Sequence, residues 1–358
     1  MSSYRPPSPP THPKNAAAWQ LRPKQRPLVL SGAPYTPPPP GHLVIRTGTL
    51  AINPIDWKLQ TNDLFHLPYP FIFGSDVAGT VYEIGDGVDQ GFVPGQRVIA
   101  IASGMTSRLA SRGGFQRFVV VAQEAVCAVP AAMGLEEAVV LPLAICTAAA
   151  GLYQRDYLGF KFPSSDAAFV REHQDEERVV LVWGGASSVG SATVQLAHAS
   201  GVTVFTTASK ENFAFCEGLG ASRCFSYRDF DVEDQIVRAM KGKTCVGAYD
   251  AVGAAGACAR VVDRCQGKAI VVTTAGVSES DHEVPKSVRI KMSKCTITLT
   301  LPVTHTNHPH PSQSDRAPFS PTTWVSTSGE SFSQKRWNLV SSSQRPHRSR
   351  SKTVNPMG

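Results

Sequence analysis

The run Arg178-Val-Val-Leu-Val-Trp-Gly-Gly-Ala-Ser-Ser-Val-Gly190 constrains the fold more than any other stretch of this chain. A β-branched apolar run breaks at two glycines and passes into a segment of helical periodicity, which predicts a strand, a sharp turn and a helix. Gly184 and Gly185 permit the turn and bring backbone N–H groups toward a pyrophosphate. Ser187 and Ser188 are suited to cap the helix that Val189 opens, and Gly190 lets that helix pack closely on the strand. The positive end of the helix then faces an anion.

The same alternation continues downstream, with strands expected at 178–183, 202–207, 222–225, 247–252 and 267–273 and helices at 189–200, 211–218, 231–240 and 255–264. Strands separated by helices require a parallel sheet covered on both faces, so a doubly wound α/β fold is expected. At the end of the second strand, a dinucleotide site that prefers NAD places an acid on the ribose 2′-OH. Here Ser209 and Lys210 follow the strand instead, and a hydroxyl with a cation suits the 2′-phosphate of NADP. Tyr227, after the third strand, and Val252, at the end of the strand expected at 247–252, complete the cofactor candidates.

Upstream, from Ala16 to about Pro130, short apolar runs alternate with turn residues, as in a compact β-rich domain. The Ala- and Leu-rich segment from Gly134 to Tyr157, with Glu136 and Glu137 early in it, reads as one helix leading out of that domain. The expected organisation is a disordered lead over 1–14, a substrate domain with linker helix over 15–150, a nucleotide domain over 151–301 and a disordered basic tail over 302–358.

Of the formal charge of +7, the tail carries the larger part, with seven Lys/Arg against two Asp/Glu from Pro302 onward. The tail therefore reads as a solvated end rather than a nucleic-acid contact. The apolar stretch Ala138 to Gly151 is shorter than the roughly 20 residues a membrane span needs and is interrupted by Pro142, so no membrane segment is expected. The Pro- and Ser-rich start lacks the apolar core of a secretory signal, which makes a cytoplasmic location the default. Eight scattered cysteines without a C-x-x-C pair argue against a zinc ribbon or a disulfide scaffold.

Six stretches, in order, resemble the medium-chain dehydrogenase/reductase superfamily, in particular its quinone-reductase-like branch with the fungal trans-acting enoyl reductases. They are Asn53-Pro-Ile-Asp-Trp-Lys58, Phe73-Gly-Ser-Asp-Val-Ala-Gly-Thr-Val81, Val93-Pro-Gly-Gln-Arg-Val98, Gly113-Gly-Phe-Gln-Arg-Phe118, Leu141-Pro-Leu-Ala-Ile-Cys-Thr-Ala148 and Val182-Trp-Gly-Gly-Ala-Ser-Ser-Val-Gly190. The resemblance implies a GroES-like β-barrel domain followed by a Rossmann domain, with the nicotinamide in the cleft between them. The chain's likeness to the family is lost near Leu301, so the family's C-terminal return to the barrel is expected to be missing.

Zinc alcohol dehydrogenases of the superfamily carry a Cys ligand where this chain has Asn53 and a His-Glu pair where it has Ser75-Asp76. They also carry a four-cysteine loop that is missing between Gly95 and Gly114. Cys146 alone cannot hold the metal, so a zinc-free site is expected. The resemblance then implies NADPH-dependent reduction of an enoyl or quinone-like C=C, with Asn53, Lys58 and Thr147 as polarising or orienting groups. Asp56 and Asp76 are expected to hold the loop and barrel together. The substrate would be a small molecule or an acyl chain on the carrier of a polyketide synthase. A second reading is a catalytically inactive binding partner of such a synthase. Members of the branch often pair through the edge strand of the nucleotide domain, which leaves a homodimer open.

Overall fold

The computed structural model describes residues 12–88, 91–163, 175–275 and 284–293. In the first domain, β1 (Asn15–Gln20), β2 (Val29–Ala33), β3 (His42–Ala51), α1 (Pro54–Asn62), β4 (Phe71–Ile72), β5 (Asp76–Ile84), β6 (Arg97–Ile101), α2 (Gly104–Ser107), β7 (Phe118–Ala122) and β8 (Val126–Ala128) follow one another. A five-stranded antiparallel sheet of order β7-β3-β5-β6-β8 is accompanied by a three-stranded sheet of order β2-β1-β4. Alternation sorts the side chains: Leu43, Ile45, Val77, Val98, Val119 and Val121 fill one core, while Val44, Phe118 and Val120 pack with Tyr35 in another cluster.

The linker is two helices rather than the single one expected, α3 (Leu135–Ala138) and α4 (Pro142–Tyr153). Pro142 has no N–H to continue α3 and its ring collides with the carbonyl four residues back, so the chain breaks and Pro142 takes the first turn of α4. By length and composition Leu135–Tyr153 passes for a membrane span, with a mean hydropathy of 1.7. It is broken at Leu141, however, and Ala144, Ala148 and Leu152 lie in the core of the nucleotide domain.

The second domain runs β9 (Asp175–Trp183), α5 (Ser188–Ala199), β10 (Val202–Ala208), α6 (Phe213–Gly218), β11 (Ala221–Ser226), α7 (Val232–Ala239), β12 (Thr244–Asp250), α8 (Ala255–Asp263), β13 (Ile270–Thr273) and β14 (Arg289–Met292). Its six strands are parallel in the order β11-β10-β9-β12-β13-β14. Val180 and Val182 of β9 pack with α4 and α5 on one face, and Val179 and Leu181 pack with α7 and α8 on the other. Burial on both faces explains why β9 reads as an unbroken apolar run. Strand order reverses at the β9/β12 junction, where open α/β sheets open a crevice for ligands.

The sequence reading did not include β14. Among the described residues it pairs with β13 alone, and its Arg-Ile-Lys-Met run is half-exposed, which gives a weak local signal. The strand expected at 247–252 ends at Asp250, so Val252 lies in the following loop. Most of the expected lead, and all of the tail over 302–358, fall outside the described residues.

Candidate cofactor and substrate site

The glycine turn after β9 is held tightly. Gly184 has φ +86°, and a Cβ there would stand 2.5 Å from Val252 Cγ1. A Cβ on Gly190 would lie 2.0 Å from the Gly184 carbonyl oxygen, so only glycine lets α5 approach the turn this closely. Ser187 caps α5, its Oγ accepting the Gly190 N–H at 3.1 Å, while Ser188 is the first helical residue.

The N–H groups of Gly184 and Gly185 do not point to a ligand: they donate to Thr207 of β10, the first to Oγ1 at 3.0 Å and the second to the carbonyl at 2.9 Å. The N–H groups of Ser188 and Val189 begin α5 and have no intrahelical acceptor, which leaves them free to donate to an anion.

Trp183, Gly184, Ala186, Ser187, Ala208, Ser209, Asn212, Tyr227 and Val252 surround a cavity of about 360 Å³. A Cβ on Gly184 would invade the space beside Val252, and the residues present fit a dinucleotide with its pyrophosphate at α5 and its ribose at Ser209. Asn212 escaped the sequence reading, although its spacing from Ser209 was a usable signal: its Nδ2 donates to Ser209 Oγ at 2.8 Å.

Lys210 is absent from the cavity wall. Its side chain is 74% exposed, with Nζ 3.7 Å from Asp229. A second cation stands near the cavity, Arg228, its guanidinium over the Tyr227 ring and 3.9 Å from Glu211. Glu211 is held below the usual carboxylate range by its own backbone N–H and then by the Ser209 hydroxyl.

Buried Asp250 positions Val252. Its Oδ1 accepts the N–H groups of Val252 at 3.0 Å and Gly253 at 2.9 Å, and its Oδ2 accepts the Thr273 hydroxyl at 2.8 Å. No local pattern marks this carboxylate, because its partners lie in a loop and on a neighbouring strand.

In the first domain, Asn53 Nδ2 donates to Asp76 Oδ2 at 2.8 Å, and Asp76 Oδ1 accepts the Leu143 N–H at 2.8 Å. Asp76 thus joins the loop before α1 to the start of α4. Asp56 accepts the Asn53 N–H at 2.7 Å. Burial pushes Asp76 up to about 7 and Asp56 up to about 6.

Thr147 donates its hydroxyl to the Leu143 carbonyl at 2.7 Å, while its own carbonyl accepts Tyr249 and Ser293 hydroxyls, each at 2.8 Å. Asn53 thus reaches the Leu143 N–H through Asp76, while Thr147 meets the Leu143 carbonyl within α4 itself. Lys58 stands apart from these contacts, its Nζ 5.8 Å from the centre of the Trp57 ring.

Among the described residues no group of three or more His, Cys, Asp or Glu is arranged to hold a metal, and no disulfide joins the described cysteines. Asn53 and Asp76, which the resemblance sets where zinc-dependent members carry ligands, offer an amide and one carboxylate in place of a thiolate and an imidazole–carboxylate pair, a donor set that does not fit zinc.

Residues 39–131 match a family model described as alcohol dehydrogenase GroES-like domain, and residues 188–301 match one described as zinc-binding dehydrogenase. The dehydrogenase pigH of Monascus ruber is 42% identical over 266 residues, covering 72% of this chain and 70% of that one. The trans-enoyl reductase himH of Aspergillus japonicus is 38% identical over 240 residues, 66% of this chain and 68% of its own. Among solved structures, an alcohol dehydrogenase superfamily protein from Novosphingobium aromaticivorans superposes with a TM-score of 0.63 at 26% identity, covering 78% of each chain.

Proposed function

The chain belongs to the medium-chain dehydrogenase/reductase superfamily of oxidoreductases, and from that premise we propose that it is an NADPH-dependent, zinc-independent reductase of activated C=C bonds. The observation that carries the reading is the Asn53–Asp76 hydrogen bond, between two residues that the resemblance sets where zinc-dependent members carry ligands. A site built from an amide and a hydrogen-bonded carboxylate polarises a carbonyl by donating hydrogen bonds, which suits an α,β-unsaturated carbonyl better than an unactivated alcohol. The himH relative, a trans-enoyl reductase, supports the same chemistry.

Bound nicotinamide supplies a hydride to the β-carbon. Asn53 has a second amide N–H, beyond the one Asp76 takes, to donate to the substrate carbonyl as enolate charge develops. Asp76 orients that amide, and Asp56 fixes the Asn53 backbone beneath it. Lys58, on the helix that Asn53 caps, and Thr147, on α4, are the further polarising or orienting groups of this reading, and the α-carbon takes its proton from water. The preference for NADPH rests on Ser209 and Tyr227 in the cavity and on Lys210 and Arg228 near it. The substrate is an enone or enoyl thioester, carried by a polyketide synthase as the resemblance implies.

Turnover of a simple enoyl thioester, followed by NADPH oxidation, tests this. Consumption of NADPH with reduction of the double bond is expected. A chain that binds NADPH yet reduces neither enoyl thioesters nor quinones would instead be an inactive partner of a synthase.

A further inference from the structure

At the middle of β3, three cations stand around a concavity of about 500 Å³: Lys14 before β1, Arg46 on β3 and Arg117 before β7, with Pro13, Thr47 and Phe118 in its wall. All three cations are exposed, and among the described residues none is ion-paired to a carboxylate. Glu83, opposite Val44 on the neighbouring strand, is engaged by the Tyr35 hydroxyl. The Thr47 hydroxyl is enclosed and has no hydrogen-bond partner, a donor that protein atoms leave unsatisfied.

The backbones bearing these cations are held rigidly. Thr47 N–H donates to the Arg117 carbonyl at 2.9 Å, Arg117 N–H to the Ala16 carbonyl at 2.9 Å, and Arg46 pairs with Phe118 across β3 and β7. Buried Asn15, next to Lys14, accepts the Phe118 N–H at 3.1 Å and donates to Gln116 at 3.0 Å. Like charges brought together on a fixed scaffold repel, and a polyanion removes that cost. Two guanidinium forks and one ammonium suit phosphate oxygens, and the volume is that of a small-molecule site.

We propose that Lys14, Arg46 and Arg117 form a phosphate-binding subsite, separate from the dinucleotide cavity, for the phosphorylated arm of a thioester substrate. The substrate half of this statement rests on the enoyl-reductase reading. Arg46 and Asn53 are seven residue steps apart, at most about 23 Å along an extended strand, so a long arm anchored here can reach toward Asn53 with its thioester end. The phosphate is the one shared by coenzyme A and by the arm of an acyl carrier protein.

The full chain, saturated with NADPH to occupy its own site, is titrated calorimetrically with coenzyme A, with inorganic pyrophosphate and with pantetheine, which has the arm without phosphate. Coenzyme A and pyrophosphate are expected to bind at least tenfold more tightly than pantetheine, and to weaken as salt rises. The double variant Arg46→Ala/Arg117→Ala should lose at least tenfold in coenzyme A affinity while keeping the rise in melting temperature that NADPH induces, which shows that it folds. Pantetheine binding as tightly as coenzyme A, or a double variant that binds coenzyme A like the wild type, overturns the subsite. A phosphopantetheinylated carrier that binds more tightly than coenzyme A, with the same dependence on both arginines, identifies the carrier as the source; equal affinity identifies the free thioester. If the wild type turns over neither coenzyme A nor N-acetylcysteamine thioesters, the reductase reading fails while the binding results still decide the phosphate site.

Discussion

The Gly184 carbonyl oxygen occupies the space where a Cβ on Gly190 would stand, 2.0 Å away, so the first turn of α5 and the end of β9 touch backbone to backbone. Neither partner can move without displacing the turn on which the proposed nucleotide site rests. Gly190→Ala is expected to destabilise the protein by about 1–3 kcal/mol and to abolish the stabilisation conferred by NADPH. Melting curves with and without the nucleotide read both effects, and an undiminished NADPH shift would refute the assignment of this turn.

Asp250 secures the loop that carries Val252 onto Gly184. Asp250→Ala leaves two backbone donors and the Thr273 hydroxyl without their acceptor, at a cost of about 1–3 kcal/mol for each group that water does not reach. Cofactor affinity should fall along with stability. Equilibrium denaturation and a nucleotide titration on the same variant would show whether the loop and the cavity are linked.

Lys210 and Arg228 pair with Asp229 and Glu211 at exposed positions, where such pairs add little to stability. Reversing both charges, in Lys210→Glu/Arg228→Glu, should therefore leave the melting temperature nearly unchanged while weakening NADPH about tenfold relative to NADH. Equal losses for the two nucleotides would mean that neither side chain meets a 2′-phosphate.

Asp76 and Asp56 are buried carboxylates raised above their ordinary range, to about 7 and about 6. The native state thus holds protons that the unfolded chain releases near pH 4. Stability contributed by the protonated forms is full below that value and is lost as pH rises through about 6 to 7. The stability of the wild type relative to Asp76→Asn should accordingly fall between pH 5 and pH 7, by at most about 1.4 kcal/mol per pH unit. A difference that grows with pH would contradict the burial of this acid in its protonated form.

Thr147→Val removes a hydroxyl that donates to the Leu143 carbonyl within its own helix. Stability should change by less than about 1 kcal/mol. A loss of kcat/KM at that unchanged stability assigns the hydroxyl to the substrate, and unchanged kinetics assign it to the helix alone.

Features encoded over a few neighbouring residues could be read from the sequence. The apolar run of β9, the glycines after it, the Ser187 cap and the alternation of strands and helices are local patterns, and the parallel sheet follows because strands joined through helices must run the same way. Short apolar runs between turn residues likewise marked the β-rich first domain. Tertiary structure decided the rest. Asp76 meets Asn53 and Leu143 across 23 and 67 residues of chain, Asp250 meets Thr273 from a neighbouring strand, and Lys210 turns from the cavity to Asp229. The Gly184 and Gly185 N–H groups are taken by Thr207 of β10, 23 and 22 residues away in the chain. Those contacts depend on which distant groups packing brings within hydrogen-bond distance and on how far burial removes a charge from water, and neither quantity has a local signature in the order of residues.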